Sequence, residues 1–97
     1  MPKAYWIDQY SEVHDPDKLA AYAVLAGPAI EAAGGRFLAR GVAAYAFESG
    51  KLERTVVIEF ANVEAAHAAH ESAAYKRALA ALDGGVTREI RIVEGLG

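Results

Sequence analysis

The stretch KAYWIDQYSEVHDPDKLAAY, residues 3–22, changes its hydrophobic period halfway and thereby decides the fold class. Its first half is rich in aromatic and β-branched side chains, and Trp6, Asp8 and Tyr10 alternate with the residues between them. This two-residue period predicts a strand over residues 3–13. From residue 16 onward apolar side chains recur at helical spacing, so the strand is expected to lead directly into a helix.

The limits of this first helix are marked by residues with special backbone properties. Asp15 is the expected N-cap and Pro16 the first helical residue, where a missing N–H costs nothing. The Gly-Pro pair at 27–28 predicts a kink or break between about 26 and 28, because proline cannot donate to the carbonyl four residues back. Two glycines at 34–35 are expected to end the helix.

The rest of the chain repeats the pattern of strand and helix. Gly41 is a candidate bulge in the next strand, and Asn62 is a plausible N-cap for a second, Ala-rich helix. The remaining predicted elements are a strand over 36–49, a turn at 49–51, a strand over 53–60, a helix over 63–82 that bends near Ser72, and a strand over 86–94.

The predicted order is βαββαβ, which indicates an α+β, ferredoxin-like fold over a single domain, residues 1–97. Both helices of such a fold pack on one face of a four-stranded antiparallel sheet. The other face carries apolar residues and has no helix to cover it. A chain this short buries a small core, so we expect a homodimer that pairs through the sheet faces.

Composition restricts the partners and the chemistry. Hydrophobic residues make up 54% of the chain and the formal net charge is −3, with no run of Lys and Arg. These values disfavour nucleic-acid and membrane partners. There is no Cys, which excludes disulfides and thiolate chemistry, and the N-terminal residues lack a basic segment followed by an apolar run. We therefore predict a cytoplasmic protein without a cofactor.

Five segments carry a resemblance to a known family. They are AYWI at 4–7, DPDKLAAYAVLAGPAIEAAGGRFLARG at 15–41, RTVVIEF at 54–60, HESAAY at 70–75 and IRIVEG at 90–95. In this order and spacing the chain resembles the DUF1330 family of the dimeric α/β-barrel superfamily. The resemblance implies a ferredoxin-like fold that pairs through its sheets into a barrel, and it implies no particular reaction.

Two histidines lie one helical turn apart in the second predicted helix. His67 and His70, followed by Glu71, could in principle face one metal ion, but the spacing supplies no further ligand. We therefore predict no metal site. His67 is expected in solvent and His70 at the boundary of the core, where it remains a candidate acid or base.

Other candidates lie beside His70 and on the first strand and helix. Ser72 is expected to cap a second helical segment and is kept as a possible ligand contact. Tyr75 begins a core stripe, yet its hydroxyl could enter a cleft, which makes it the second catalytic candidate. Trp6, Tyr10 and Tyr22 could line a pocket between the sheet and the first helix, or could be ordinary core residues.

Charged residues on the second and third strands form the last candidate group. Arg36 and Arg40 are evenly spaced and are expected to share a face with Leu38, and Glu59 on the next strand could reach one of them. A structural ion pair at the dimer barrel is the favoured interpretation. A site for a ligand carboxylate is the alternative.

Two functions from different classes fit these residues. The first is a small dimeric domain that binds a small apolar or acidic metabolite. The second is a cofactor-independent monooxygenase or isomerase acting on an aromatic or quinol-type substrate, by analogy with better-known members of the superfamily. Its local support is Trp6 together with His70.

Overall fold

The computed structural model describes residues 2–97, which form four strands and three helices. Their bounds are β1 Ala4–Val13, α1 Pro16–Ala32, β2 Arg36–Val42, β3 Arg54–Phe60, α2 Val63–Glu71, α3 Ala73–Leu82 and β4 Val86–Glu94. The sheet order is β2-β3-β1-β4, and every neighbouring pair is antiparallel. This confirms the predicted α+β fold with a four-stranded antiparallel sheet, but the helices number three instead of two.

The third helix arises because the chain breaks at Ser72. This residue has an extended backbone, with φ −66° and ψ 149°, between α2 and α3. Its hydroxyl donates to the carbonyl of Ala69 at 2.8 Å and accepts from the backbone N–H of Tyr75 at 3.2 Å. The predicted cap at Ser72 is confirmed, and the expected bend is a complete interruption of the helix.

Helix α1 begins as predicted but does not break. The carboxylate of Asp15 accepts from the backbone N–H groups of Asp17 and Lys18 at 3.0 and 3.2 Å. The helix then continues through Pro28 to Ala32, so of the predicted kink or break the break does not occur. Buried residues on both sides of the proline, among them Ala26 and Ile30, pack on the sheet and hold the helix together across it.

Strand β2 is shorter than predicted and is irregular at a different place. It ends at Val42, and the register with β3 shifts between Phe37 and Ala39, not at Gly41. Arg36 therefore lies opposite Glu59, whereas Arg40 lies opposite Val56. Since Val56 faces the helices, the two arginines are on opposite faces of the sheet, and the prediction that they share a face was wrong.

The core lies between the helices and one face of the sheet. Its largest fully buried side chains are Trp6, Tyr75, Phe60 and Ile58. The ring of Trp6 meets that of Tyr75 edge-on with centroids 5.1 Å apart. Among residues 2–97, no helix covers the opposite face, which carries Tyr5, Ile7, Val57 and Val93.

The segment between β2 and β3 extends over residues 43–53 and exposes large apolar side chains, including Tyr45, Phe47 and Leu52.

Nowhere in residues 2–97 is a helix long and apolar enough to span a membrane.

Candidate functional site

A buried ion pair joins two neighbouring strands beneath the helices. Nη1 of Arg88 on β4 donates to Oδ2 of Asp8 on β1 at 2.8 Å, and the two side chains are only 8% and 5% exposed. The local sequence places both charges inward, because Asp8 alternates with Trp6 on the helix-facing side of β1 and Arg88 alternates with Ile90 on β4. A charge pair at this depth needs further hydrogen bonds to offset its desolvation.

Three tyrosine hydroxyls surround the Arg88 guanidinium and supply those bonds. Nη1 donates to the hydroxyls of Tyr10 and Tyr22 at 3.1 and 3.2 Å, and Nη2 donates to that of Tyr75 at 3.3 Å. The hydroxyls of Tyr22 and Tyr75 are themselves 2.7 Å apart. The network thus links β1, α1, α3 and β4 through one side chain.

Burial changes the acidity of several groups in this network. It raises the pKa of Asp8 from its ordinary value of 3.8 to about 6, although the positive charges of Arg88 and Arg54 oppose the change. Burial also raises the pKa of Tyr75 and of Tyr10. By itself burial would lower the pKa of Arg88, but Tyr22, Asp8 and Tyr75 outweigh it and raise that pKa. At neutral pH Arg88 is therefore charged, the phenols of Tyr10 and Tyr75 are neutral, and Asp8 is a carboxylate whose pKa of about 6 lies close below that pH.

A small cavity adjoins the ion pair on the side of α1. Its internal volume is about 30 Å³, which is room for roughly one water molecule. Its walls come from the sheet and from α1, where the residues are small: Ala23, Ala26 and Gly27. The aromatic lining consists of Trp6, Tyr10, Tyr22 and Phe37.

Three buried polar atoms in residues 2–97 have no hydrogen-bond partner in the chain, and all three belong to residues that line this cavity. They are Nε1 of Trp6, Oδ1 of Asp8 and Nε of Arg54. An unpartnered buried polar atom is costly and is normally matched by protein, water or ligand. Their coincidence at one cavity indicates a site for a small polar group.

Two arginines line the cavity without forming an ion pair within residues 2–97. Arg54 is half-buried, while Arg40 is exposed and lies 4.4 Å from the centre of the Phe37 ring. Their two guanidinium groups add positive potential where the cavity meets the surface.

The two catalytic candidates lie together but relate differently to the cavity. His70 packs its ring against Trp6 and Tyr75, with centroids 5.5 and 5.2 Å apart, and its side chain is 36% exposed. Its Nδ1 lies 2.8 Å from Oε2 of Glu71, and this contact lowers the pKa of that carboxyl group. His70 does not line the cavity, whereas the hydroxyl of Tyr75 reaches the Arg88 network.

The remaining candidates divide between the cavity and other places. Trp6, Tyr22 and Arg40 line it, and Ser72 serves as a helix cap. Glu59 pairs with Lys3 at 3.1 Å on the uncovered face of the sheet, so within this chain its ion-pair partner is a lysine and not an arginine. Arg36 on β2 is the register partner of Glu59 on β3, but Lys3 is the residue whose side chain reaches the carboxylate. Within residues 2–97, no three His, Asp or Glu side chains are placed to share a metal ion.

Sequence reasoning did not single out Asp8, Arg54 or Arg88: Arg88 was only grouped with the other strand arginines as a possible ion-pair or carboxylate-binding residue, and Asp8 and Arg54 were not site candidates. A signal was available for two of them: Asp8 alternates with Trp6 and Tyr10, and Arg88 with Ile90 and Ile92. A charged residue in register with an apolar face must be paired or functional. Arg54 had no such signal, since it stands at the first position of its strand.

Solved structures confirm the fold class and show that it hosts several kinds of protein. A protein of unknown function from Rhodopseudomonas palustris superposes with a TM-score of 0.76 at 15% identity, covering 99% of this chain and 84% of that one. The cofactor-independent oxygenase SnoaB from Streptomyces nogalater gives 0.67 at 13% identity, covering 100% and 96%. A dimeric ferredoxin-like protein of unknown function from Thermobifida fusca gives 0.65 at 15% identity, covering 97% and 92%.

The class is therefore that of ferredoxin-like α+β proteins with a buried polar site between sheet and helices. At these identities the structural likeness shows the fold alone. No curated protein matches the chain in sequence. The family model described as "Domain of unknown function (DUF1330)" matches residues 3–96, so the chain belongs to the DUF1330 family, as its sequence motifs indicate.

Proposed function

We propose that this protein binds a small, partly apolar anion in the cavity between α1 and the sheet. The observation that carries the proposal is the coincidence of unpartnered buried polar atoms and two unpaired arginines, Arg40 and Arg54, at one aromatic-lined cavity. Small-molecule sites combine apolar walls with a few convergent polar groups in this way.

Charge decides the class of ligand. Arg40, Arg54 and Arg88 lie at or beside the cavity, and Asp8 is the carboxylate that lines it. The guanidinium of Arg88 is engaged by Asp8 and the tyrosines, so the positive charge of the other two is free to meet an anion. A planar carboxylate suits a guanidinium because two parallel hydrogen bonds can form.

Size decides how the ligand lies. The enclosed volume takes about one non-hydrogen atom with its hydrogens, so most of a ligand must rest at the opening, beside Phe37 and Arg40. The small residues of α1 leave this opening unobstructed, since a Cβ added at Gly27 would meet no atom within 4 Å.

The anion prediction can be tested with benzoate as a probe. Replacing Arg40 with glutamine should weaken benzoate binding by about tenfold, the effect of losing one charge-assisted pair, as measured by NMR titration. Arg36→Gln is the matched control, because it makes the same charge change on the same strand but on the other face of the sheet. Equal weakening by both variants, or no saturable binding of benzoate to the unaltered protein, would refute the proposal.

The oxygenase or isomerase alternative has less support. It draws on the pKa of Asp8, near neutrality beside the cavity, and on the fold shared with SnoaB. However, the predicted acid or base of this alternative is His70. This residue does not line the cavity, and its ring is hydrogen-bonded to the carboxylate of Glu71. The catalytic roles of His70 and Tyr75 stay predictions.

A second copy of the chain is the proposed partner on the uncovered face of the sheet. In its support, this face carries Tyr5, Ile7 and Val57, with Val93 49% exposed, and the segment 43–53 exposes further large apolar side chains. Light scattering at micromolar concentration should give twice the mass of one chain, and the mass of a single chain would contradict this expectation. A cytoplasmic location likewise stays a prediction.

A further inference from the structure

Three residues that line the cavity have unpartnered polar atoms, and together these atoms form a set that one functional group complements. Asp8 Oδ1 is an acceptor, while Nε1 of Trp6 and Nε of Arg54 are donors. One acceptor and two donors call for a group that donates once and accepts twice. A hydroxyl does this, since it carries one O–H and two lone pairs.

The placement of these residues brings all three of them to the lining of one cavity. Trp6 and Asp8 are two residues apart on β1 and point to the same side, and both are buried. Arg54 on β3 acts electrostatically on Asp8 and lies over the Tyr10 ring, 6.0 Å from its centre, so its side chain runs along the same wall. The volume of about 30 Å³ takes a single oxygen and excludes a second carboxylate.

We propose that the cavity recognises the hydroxyl group of a hydroxylated aromatic acid, whose carboxylate meets Arg40 at the opening. This inference rests on the proposed function and adds the group at the buried end of the ligand. The hydroxyl donates to Asp8 and accepts from Trp6 and Arg54. The ring of the acid rests at the opening of the cavity, beside Phe37 and Gly27.

Other groups of similar size match the three atoms less well. A carbonyl accepts from both donors but leaves the Asp8 oxygen unpartnered, and an ammonium satisfies Asp8 but faces two donors. A halogen or methyl group leaves all three atoms unpartnered. In the absence of ligand a water molecule can take the place, and a hydroxyl that reproduces its bonds displaces it at little loss.

The experiment compares two acids that differ in one group. The affinities of 4-hydroxybenzoate and 4-fluorobenzoate for the unaltered protein are measured by NMR titration, and we expect the hydroxy acid to bind at least about tenfold more tightly. In Trp6→Phe, which lacks the indole donor, this ratio should fall. If that variant does not fold, the comparison in the unaltered protein still decides the question.

A larger side chain at the opening of the cavity tests where the two acids bind. Gly27→Leu places a side chain in the open space beside the cavity and should abolish binding of both acids, whereas Ala21→Leu, on an exposed part of the same helix, should not. Equal affinity of the two acids, with binding still sensitive to Arg40→Gln, would overturn the hydroxyl inference and leave the anion site standing. If neither Gly27→Leu nor Arg40→Gln changed the affinity for the two acids, both proposals would be overturned.

Discussion

Replacing Arg88 with methionine should lower the free energy of unfolding by about 3–5 kcal/mol at pH 7.5, the usual cost of breaking a buried ion pair from one side. The side chain is 8% exposed and provides the partner for the equally buried Asp8. Methionine fills a similar volume but leaves the carboxylate without a donor and removes one hydrogen bond from each of three tyrosine hydroxyls. Urea unfolding followed by circular dichroism measures the change.

The control and the pH dependence separate this effect from a loss of packing. Arg91→Met makes the same change on the same strand at a side chain that is 77% exposed, so it should alter stability by no more than about 0.5 kcal/mol. At pH 5 the cost of Arg88→Met should be smaller, because Asp8 is then protonated and carries no charge to compensate. A cost below about 1 kcal/mol at pH 7.5 would show that the ion pair does not hold these strands together.

The second large effect is a loss of stability as the pH rises, due to Asp8. Its pKa is about 6 in the folded protein and 3.8 ordinarily, so between these values the unfolded chain has released a proton that the folded chain still holds. Stability falls wherever the folded state binds more protons. The difference of about two pKa units corresponds to roughly 3 kcal/mol, present below pH 4 and lost as the pH passes 6.

Asparagine at position 8 isolates this contribution. Asp8→Asn keeps the shape of the side chain and carries no titrating group, so its stability should not show the decline that the unaltered protein shows between pH 4 and 7. The measured quantity is the difference between the two free energies of unfolding across that range, which removes the titration of all other groups. Parallel curves would mean that burial does not perturb Asp8.

The fold was predictable because its signals are local. The two-residue alternation around Trp6 and the Ala-rich helical segment each determine which side chains face inward, and Ser72 interrupts that segment with its own hydroxyl. The errors arose where packing overrides a local preference. A kink or break was predicted at Pro28, but α1 is not broken there, because burial of the residues on both sides of the proline keeps the helix continuous.

The site was predictable only in part. Trp6, Tyr10 and Tyr22 were interpreted as core residues or, alternatively, as the lining of a pocket, and in the structure they are buried and line a cavity of about 30 Å³ between the sheet and α1. Arg40 lines this cavity and Arg36 does not, because a register shift between Phe37 and Ala39 places the two arginines on opposite faces of the sheet. Since one extra residue in a strand reverses the face of every residue beyond it, spacing alone could not assign the arginines.

By itself the sequence determined the order of strands and helices, the inward face of β1 and the family. These depend on side-chain periodicity and on backbone preferences that act over a few residues. Only the tertiary structure decided that Asp8 pairs with Arg88, eighty positions away, and that Trp6, Asp8 and Arg54 keep unpartnered atoms at one cavity. Such partners depend on how three strands and a helix meet, and no local pattern records that geometry.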